Sequence, residues 1–309
     1  MITTVTLNAS IDKLYLLENW QPGRVNRVEQ CRASAGGKGV NAARVLQLLG
    51  APVRATGFLG GHSGAYLLEL LRKDGVEGDF YAVEGESRSC VNLIDAQGRG
   101  TEFLEPGPQI PAAAQAAFCE KLRLMAKEGP VALCGSLPAG CAPDYYARLI
   151  RAVRAAGAPV LLDSSGQALA RGLGARPDLI KPNREELAQL TGCACGSLEQ
   201  VRAAAVGLRG QGAASVAVSL GEGGALLACP EGVFWGAAPS VPVQNATGCG
   251  DSMVAAFALA IREGRPGPEQ LRFALAVAGA NAMQQRTGFV EPADVAALLP
   301  RCRVERLGA

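Results

Sequence analysis

Residues 244–262 read QNATGCGDSMVAAFALAIR, and they contain the strongest single signal in the chain. The first half holds Gly248, Cys249, Gly250 and Asp251, while the second half is almost continuous apolar sequence. A helix that is apolar on every side is buried. Glycines just before such a helix leave backbone N–H groups without partners, and the helix dipole adds partial positive charge there. The stretch therefore predicts a buried helix whose start binds an anion.

Asp251 enters the predicted helix at the end where the anion would bind. A carboxylate in that place suggests a general base that removes a proton from a hydroxyl while a phosphoryl group arrives. Asp is also a good N-cap, so a purely structural role at the start of a core helix explains this segment equally well. Both interpretations stay open at this point.

Composition limits the classes of protein to consider. A chain of 309 residues suits one large α/β domain, alone or with a small appendage, or two domains. Its net charge is +2 and its basic residues are scattered, which is unlike the concentrated positive field of a nucleic-acid binder. No signal peptide or apolar run long enough to span a bilayer is visible. We therefore expect a cytoplasmic protein with no nucleic-acid or membrane partner.

Cysteine and histidine usage limits the chemistry. None of the ten cysteines forms a C-x-x-C pair, and His62 is the only histidine, so a zinc site is not expected. Cysteines within apolar runs are typical of buried thiols in a reducing compartment. His62, in GGHSG, is interpreted as a loop residue, which leaves a carboxylate as the expected base.

Apolar periodicity predicts alternating strands and helices along the chain. Predicted strands cover 2–7, 53–61, 131–134, 159–163, 179–181 and 215–220, with a hairpin over 225–235. Besides the helix described above, predicted helices cover 35–50, 63–74, 112–128, 143–156, 183–190, 197–209 and 269–285. This alternation favours a mostly parallel sheet with right-handed crossovers. A weak strand at 13–17 and a hairpin over 87–108 lie outside that rhythm and could form a lid.

Several polar residues follow predicted strands, at the sheet edge where α/β proteins bind ligands. Asp12, in NASID, could accept hydrogen bonds from sugar hydroxyls or could be an ordinary turn Asp. AGGKGVNAARVLQLLG at 35–50 opens a helix with glycines and adds the charge of Lys38 and the amide of Asn41. It is not a P-loop, and a tight strand-to-helix turn is the alternative. Arg88, at the base of the hairpin, could bind a phosphate or be a solvated arginine.

The order of these segments resembles the ribokinase-like carbohydrate kinases of the PfkB family, in the branch of 1-phosphofructokinase and tagatose-6-phosphate kinase. The resemblance runs from the first strand to the helix near residue 285 and rests on NASID, AGGKGVNAARVL, TEFLEPGP, GSLP, KPNREE, SLGEGGA and NATGCGDSMVAAF. It implies one α/β kinase domain over 1–309. That domain would be a three-layer sandwich with a mostly parallel central sheet, helices on both faces and a small β lid from 11–18 and 87–105.

The resemblance also implies roles for individual residues. Asp251 would be the base, and the backbone N–H groups of Gly248, Cys249 and Gly250 would form the anion hole. The residues implied to bind the substrate are Asp12, Gly37, Lys38, Asn41, Arg88 and Ser136. Those implied to bind the nucleotide are Lys181, Asn183, Glu186, Ser219, Gly221, Gly224 and Asn281, with Glu186 acting on Mg²⁺ through water.

The implied reaction is ATP-dependent, Mg²⁺-assisted transfer of a second phosphate to a ketohexose phosphate, by an enzyme that dimerises through its lid. Fructose 1-phosphate is the expected acceptor, because that activity is the more widespread, with tagatose 6-phosphate or fructose 6-phosphate as alternatives. A non-catalytic sensor of sugar phosphates is an alternative of another class. A nicotinamide oxidoreductase is disfavoured by the absence of G-x-G-x-x-G after the first strand.

Two positions depart from the family pattern. Asn245 stands where many members have Asp, so no acidic role is assigned to it. Cys249 stands where Ala or Ser is usual, which a backbone anion hole tolerates. A thiol at a helix start can have a lowered pKa, so redox sensitivity is a hypothesis for Cys249 beside the simpler interpretation of a small residue that fits.

Overall fold

The computed structural model describes residues 1–18, 20–97 and 99–308. Its strands are β1 (Ile2–Thr6), β2 (Ser10–Leu17), β3 (Gln30–Gly36), β4 (Val53–Gly60), β5 (Glu77–Gly78), β6 (Tyr81–Val83), β7 (Arg88–Asp95), β8 (Gly100–Leu104), β9 (Val131–Cys134), β10 (Val160–Asp163), β11 (Leu179–Ile180), β12 (Ser215–Ser219), β13 (Ala225–Cys229), β14 (Gly232–Gly236) and β15 (Val304–Leu307). Its α-helices are α1 (Lys38–Leu48), α2 (Gly61–Lys73), α3 (Ala112–Met125), α4 (Tyr145–Ala155), α5 (Gly166–Leu173), α6 (Arg184–Thr191), α7 (Leu198–Gly210), α8 (Cys249–Arg262), α9 (Gly267–Ala282) and α10 (Pro292–Leu298).

The central sheet has eleven strands in the order β15-β14-β13-β12-β11-β10-β9-β1-β4-β5, with β6 also paired to β4. The strands from β12 to β5 pair in parallel. The three pairs from β12 to β15 are antiparallel, because β12 to β14 are joined by tight connections and the C-terminal β15 closes that edge. The parallel part is the one predicted from the alternating pattern.

Apolar side chains divide between the two faces of this sheet. On β9, Ala132 and Cys134 join a core beneath α1, α2, α8, α9 and α10, whereas Val131 and Leu133 join a core beneath α3 to α7. Successive side chains of a strand point to opposite faces, so every buried strand contributes to both cores. The result is three layers, as the resemblance implied.

A second sheet of four strands, in the order β3-β2-β7-β8, lies outside the central one. Strands β2 and β7 pair in parallel, while β3 and β8 flank them in antiparallel orientation. Both predicted outlying segments are in this sheet. Its role as a lid stays a prediction.

Some elements were not predicted. Strand β3 reads QCRASAG, whose small and polar residues carry little strand signal, and its first three residues are exposed. Helices α5 and α10, with 8 and 7 residues, are too short for clear periodicity. His62 lies in the first turn of α2 instead of a loop. Within the described residues, no helix is long and apolar enough to cross a membrane.

Candidate active site

The carboxyl ends of β1, β9, β10, β11 and β12 meet at one edge of the central sheet, since these strands run in parallel. The helices α1 and α8 begin at the same edge, each after a glycine with positive φ: Gly37 at 106° and Gly248 at 88°. Glycine reaches such angles without steric strain. Two helix starts and several strand ends therefore surround one site.

A cavity of about 1530 Å³ opens between this edge and the second sheet. All six residues predicted to bind the substrate line it, namely Asp12, Gly37, Lys38, Asn41, Arg88 and Ser136. Typical small-ligand pockets occupy roughly 300–1,000 Å³, so this cavity is large enough for a small ligand. The predicted nucleotide residues do not line this cavity.

Asp251 lies in the first turn of α8, behind the cavity wall. It is only 8% exposed, and its Oδ2 accepts a hydrogen bond of 2.8 Å from Nδ2 of Asn41, which does line the cavity. The N-cap of α8 is Gly248, and no side chain caps the helix. Asp251 is therefore not the capping residue that the alternative interpretation required.

The pKa of Asp251 is raised to about 7. Burial is the largest cause, and the negative charge of Asp163 adds to it, while Asn41, Lys38 and Lys181 act in the opposite direction. A base works best when its pKa lies near the working pH. A carboxyl group with a pKa near 7 can both take up and release a proton under neutral conditions.

The start of α8 presents backbone donors beside Asp251. The N–H groups of Gly248, Gly250 and Asp251 have no acceptor within the described residues, whereas the Cys249 N–H donates to the Ala246 carbonyl at 3.3 Å. Gly248 and Gly250 thus retain the predicted capacity to bind an anion. The Cys249 N–H is engaged with its own loop, in contrast to the role that the resemblance implied.

Two lysines meet a buried carboxylate at the centre of the site. Nζ of Lys38 lies 3.2 Å and Nζ of Lys181 lies 3.5 Å from Oδ1 of Asp163, which is 1% exposed. Burial lowers the pKa of Lys38, but the charges of Asp163, Asp251 and Glu186 outweigh it and raise that pKa overall. Lys38 is therefore positively charged where it faces the cavity.

Asp12 and Arg88 occupy the junction of the two sheets. Oδ1 of Asp12 accepts a 2.6 Å hydrogen bond from Ser10, and burial raises the pKa of Asp12 against the opposing effects of Ser10 and Arg88. Arg88 donates to the carbonyls of Asn8 and Glu105 through Nε and Nη1. Its Nη2 has no partner in the described parts of the chain, which leaves one N–H₂ group facing the cavity region.

The predicted nucleotide residues lie at the strand ends on the α6 side. Asn183 and Glu186 form a reciprocal capping box at the start of α6, with hydrogen bonds of 2.8 and 2.9 Å. Asn183 also bridges to Ser219 at the end of β12. Gly221 and Gly224 follow, with φ of 61° and 84°. Their roles toward a nucleotide stay predictions.

Asn281 is fully buried and holds the loop before α8. Its Nδ2 donates to the Thr247 carbonyl at 3.1 Å, and its Oδ1 accepts from the Ser252 hydroxyl. Asn245 similarly donates to the Gln285 carbonyl. In this geometry Asn281 supports the loop before α8, and its predicted contact with a nucleotide stays a prediction.

The environment of Cys249 opposes the hypothesis of a lowered pKa. Burial raises the pKa of this thiol, with the charge of Asp251 acting in the same direction and a contact with Asn281 acting against it. Its Sγ lies 3.4 Å from the Ala278 carbonyl oxygen. These contacts favour the simpler interpretation, in which Cys249 is a small residue that fits.

Sequence reasoning missed two charged residues, Asp163 in this site and Arg44 behind it. Asp163 ends a buried strand at the ligand edge, which is the argument that identified Asp12, so the same signal could have found it. Arg44 lies within the apolar pattern of α1 and is 2% exposed. A single arginine in a helix gives no indication from sequence that it is buried.

A family model of pfkB carbohydrate kinases matches residues 5–294 of this chain. The chain belongs to that family. A tagatose-6-phosphate kinase of Staphylococcus epidermidis is 37% identical over 294 residues, which are 94% of this chain and 94% of that protein. The sequence-based prediction of the family and its branch is confirmed.

Solved structures agree with the architecture of this pfkB carbohydrate kinase. Phosphofructokinase-2 of Escherichia coli in complex with potassium superposes with a TM-score of 0.92 at 29% identity, over 97% of this chain and 98% of that one. A Thermotoga maritima protein described as a possible 1-phosphofructokinase gives 0.88 at 27% identity, over 99% of each chain. The predicted fold class is confirmed, and so is the prediction of a sugar-phosphate kinase.

Proposed function

We propose that this kinase transfers the γ-phosphoryl group of ATP to a free primary hydroxyl of a ketohexose phosphate, with Asp251 as the base. The observation that carries the proposal is a buried carboxyl group of pKa about 7 beside N–H groups at the start of α8 that have no acceptor among the described residues. The carboxylate takes the hydroxyl proton. The N–H groups and the helix dipole stabilise the negative charge of the transferring group.

Positioning and charge neutralisation account for most of the remaining rate enhancement in phosphoryl transfer. Lys38 supplies a positive charge at the cavity wall, and its side chain is held by Asp163. Asp12 is placed to accept hydrogen bonds from sugar hydroxyls, and Arg88 to bind the phosphate that the acceptor already carries. Asp12 on β2 and Arg88 on β7 both line the cavity where it meets the second sheet, so the acceptor would lie there.

The residues present are compatible with Mg²⁺ bound together with ATP. The described residues contain no cluster of three or more His, Cys, Asp or Glu side chains suited to a metal. Mg²⁺ commonly keeps several waters and binds through one or two carboxylates plus substrate phosphates, so a dedicated protein cage is not required. Glu186 would contribute through water, since its Oε2 accepts from the Asn183 N–H at 2.9 Å. The ion would neutralise phosphate charge.

The choice of acceptor rests on the relatives. The tagatose-6-phosphate kinase at 37% identity, together with the RSC sequence at 88–90 and Asn245, favours tagatose 6-phosphate. Fructose 1-phosphate, the acceptor expected from the sequence, is the second candidate, favoured by the Thermotoga maritima structure at 27% identity. The two differ in the end of the sugar that carries phosphate and in one stereocentre.

A coupled assay for ADP release with tagatose 6-phosphate, fructose 1-phosphate and fructose 6-phosphate tests this proposal. We expect the highest kcat/KM with tagatose 6-phosphate, and no ADP release above the acceptor-free rate with the unphosphorylated sugars at equal concentration. Preference for fructose 1-phosphate would reverse the order of the two candidates. Equal rates with phosphorylated and unphosphorylated sugars would overturn the class of acceptor.

The predicted homodimer is supported by the exposed edge of the second sheet. Phe103 and Leu104, on edge strand β8, are 52% and 64% exposed. Large exposed apolar side chains on an unpaired edge favour association with another surface. A second copy of this sheet is the occupant that we propose. The cytoplasmic location stays a prediction from the sequence.

A further inference from the structure

Arg44 is a buried arginine that touches neither the cavity nor the solvent. It is 2% exposed and lies one turn after Asn41 on α1. Its Nε donates to Asp74 at 2.7 Å, its Nη2 to the Ala35 carbonyl at 2.6 Å, and its Nη1 to Oδ1 of Asn41 at 3.0 Å. A guanidinium group is rigid and planar, so these bonds fix its position in the core.

The bond from Arg44 determines which way the Asn41 amide points. A guanidinium group can only donate, so the atom of Asn41 that faces it must be the carbonyl oxygen. The Nδ2 group is then directed to the other side, where it donates to Asp251 at 2.8 Å. The reversed amide would place two donors against each other and leave Asp251 without this partner. One orientation is therefore strongly favoured.

The segment after α9 encloses the same amide. Nη1 of Arg44 also donates to the Thr287 carbonyl at 3.3 Å, and Arg286 forms an ion pair with Asp74. A Cβ atom added at Gly288 would lie 2.8 Å from Cβ of Asn41, so the backbone packs directly against this side chain. Asn41 is held from both sides, and its rotation would require displacement of this segment.

We propose that Arg44 is a positioning residue for catalysis, which acts through Asn41 to orient the carboxylate of Asp251 and to keep it in its ionised, proton-accepting form. This inference rests on the proposed role of Asp251 as the base. It assigns Arg44 no contact with substrate or nucleotide. The relay runs from Arg44 through Asn41 to Asp251, and Asp74 only helps to hold Arg44 in place.

The direction of the expected pH effect follows from the groups that face Asp251. These are Asp163 of β10, Cys134 of β9, Lys38 of α1, Lys181 after β11 and Cys249 of α8. The Asn41 hydrogen bond lowers the pKa of Asp251, because it is made to the charged form. Its loss raises that pKa. The base is then protonated over a wider range, and the acidic limb of the activity profile moves to higher pH.

The pH profile of kcat for Arg44→Lys, with Asp74→Asn as the matched control, tests this proposal. Lysine keeps the positive charge opposite Asp74 but lacks the fork that reaches Asn41. For Arg44→Lys we expect the acidic limb of the activity profile to move to higher pH by about one unit. This shift corresponds to the loss of one hydrogen bond to a charged group. Asp74→Asn perturbs the same cluster without removing the bond to Asn41, so its limb should stay in place even if its Tm falls.

A double variant separates positioning from general destabilisation. Asn41→Ala should move the acidic limb as far as Arg44→Lys does, and the two changes together should move it no further, since both act through one bond. Equal shifts in Arg44→Lys and Asp74→Asn, or no shift in Arg44→Lys, would overturn the proposal. If Asp251→Asn, measured in parallel, keeps near-normal turnover, the proposed base itself is wrong, whatever the Arg44 variants do.

The wild-type chain provides a second test that does not depend on a variant folding. The side-chain NH₂ resonances of Asn41 should exchange slowly with solvent and should shift as Asp251 titrates. Rapid exchange, or resonances that do not change with pH, would contradict the relay.

Discussion

Burial of Asp251 determines how its charge depends on pH. Its pKa is about 7 in the folded protein, above the ordinary value of 3.8. The carboxylate form is the proton acceptor, so activity should be present above this pKa and lost as pH falls through it. The same shift destabilises the folded state at neutral pH, because the unfolded chain ionises this group freely. Catalysis and stability therefore place opposite demands on this residue.

Neutralising Asp163 should move the acidic limb of the activity profile to lower pH, which is opposite to the shift expected for Arg44→Lys. The charge of Asp163 raises the pKa of Asp251, and it also occupies Lys38 and Lys181. In Asp163→Asn the carboxylate that pairs with both lysines is absent, so the charges of the two lysines stabilise the carboxylate of Asp251. The pKa of Asp251 should therefore fall, and activity should persist to lower pH. The pH profile of kcat/KM in the free enzyme measures this. An upward or absent shift would contradict the electrostatics described above.

Arg88 should affect the binding of the acceptor more than the chemical step. For Arg88→Ala we expect KM for the sugar phosphate to rise by roughly tenfold to a hundredfold, the value of one charged hydrogen-bonding group, with kcat changed much less. The weak binding of the unphosphorylated sugar should not change. If both sugars lose affinity equally, Arg88 supports the junction of the sheets and does not bind phosphate.

The close approach of α1 to β1 brings Lys38 and Asn41 to the cavity. A Cβ atom at Gly39 would lie 2.5 Å from Oγ1 of Thr6 and 2.6 Å from the carbonyl oxygen of Val5, so the helix could not lie where it does with any larger residue. A backbone atom cannot move aside as a flexible side chain can. The position of this helix, and with it two cavity residues, depends on a single glycine.

Gly39→Ala should destabilise the protein by about 1–3 kcal/mol, the usual range for overpacking. The matched control is Gly207→Ala in α7, where an added Cβ would meet nothing within 4 Å. That change should stabilise the protein by about 0.5–1 kcal/mol, because alanine favours the helix. Denaturant unfolding measures both free energies. Similar values for the two variants would show that the contact at Gly39 is not tight.

Elements with clear apolar periodicity were predicted from sequence, whereas short elements and a strand with little strand signal were not. The buried strands and the long helices α1, α3, α7, α8 and α9 follow local patterns. Strand β3 and helices α5 and α10 depend on tertiary packing, which outweighs their weak local preference. Strand β15 pairs with β14 although Gly236 and its partner Val304 are 68 positions apart in the sequence. No local pattern predicts such a pairing.

At the scale of the whole molecule, the sheet edge brings together residues that are far apart in sequence. Asn41 and Asp251 are 210 positions apart and hydrogen-bonded. The topology of parallel strands predicts that glycine-opened helices begin at this edge, which made Asp12, Lys38 and Asn41 candidates, whereas the full set of substrate residues came from the family resemblance. The orientation of the Asn41 amide, the Arg44 relay and the use of Asn281 as a loop support depend on side-chain packing. Sequence alone does not specify them.

Association through the second sheet should depend on its exposed apolar edge. Phe103→Glu places a charge on β8 without changing a cavity-lining residue, so it should convert a dimer to a monomer with little effect on the folded state of each chain. Val206→Glu, at a 44% exposed position on α7, is the matched control and should leave the dimer intact. Light scattering after size-exclusion chromatography measures the mass. If the two variants have the same mass in solution, the dimer interface does not include the edge of β8.

The most direct test of the central claim is the turnover of Asp251→Asn, which keeps the shape of the side chain and removes its capacity as a base. We expect kcat to fall by about 10²-fold or more, the usual contribution of a general base, with ATP affinity within about twofold of the wild type. Near-normal turnover in the coupled assay for ADP release would contradict the assignment of Asp251 as the base and the mechanism that depends on it.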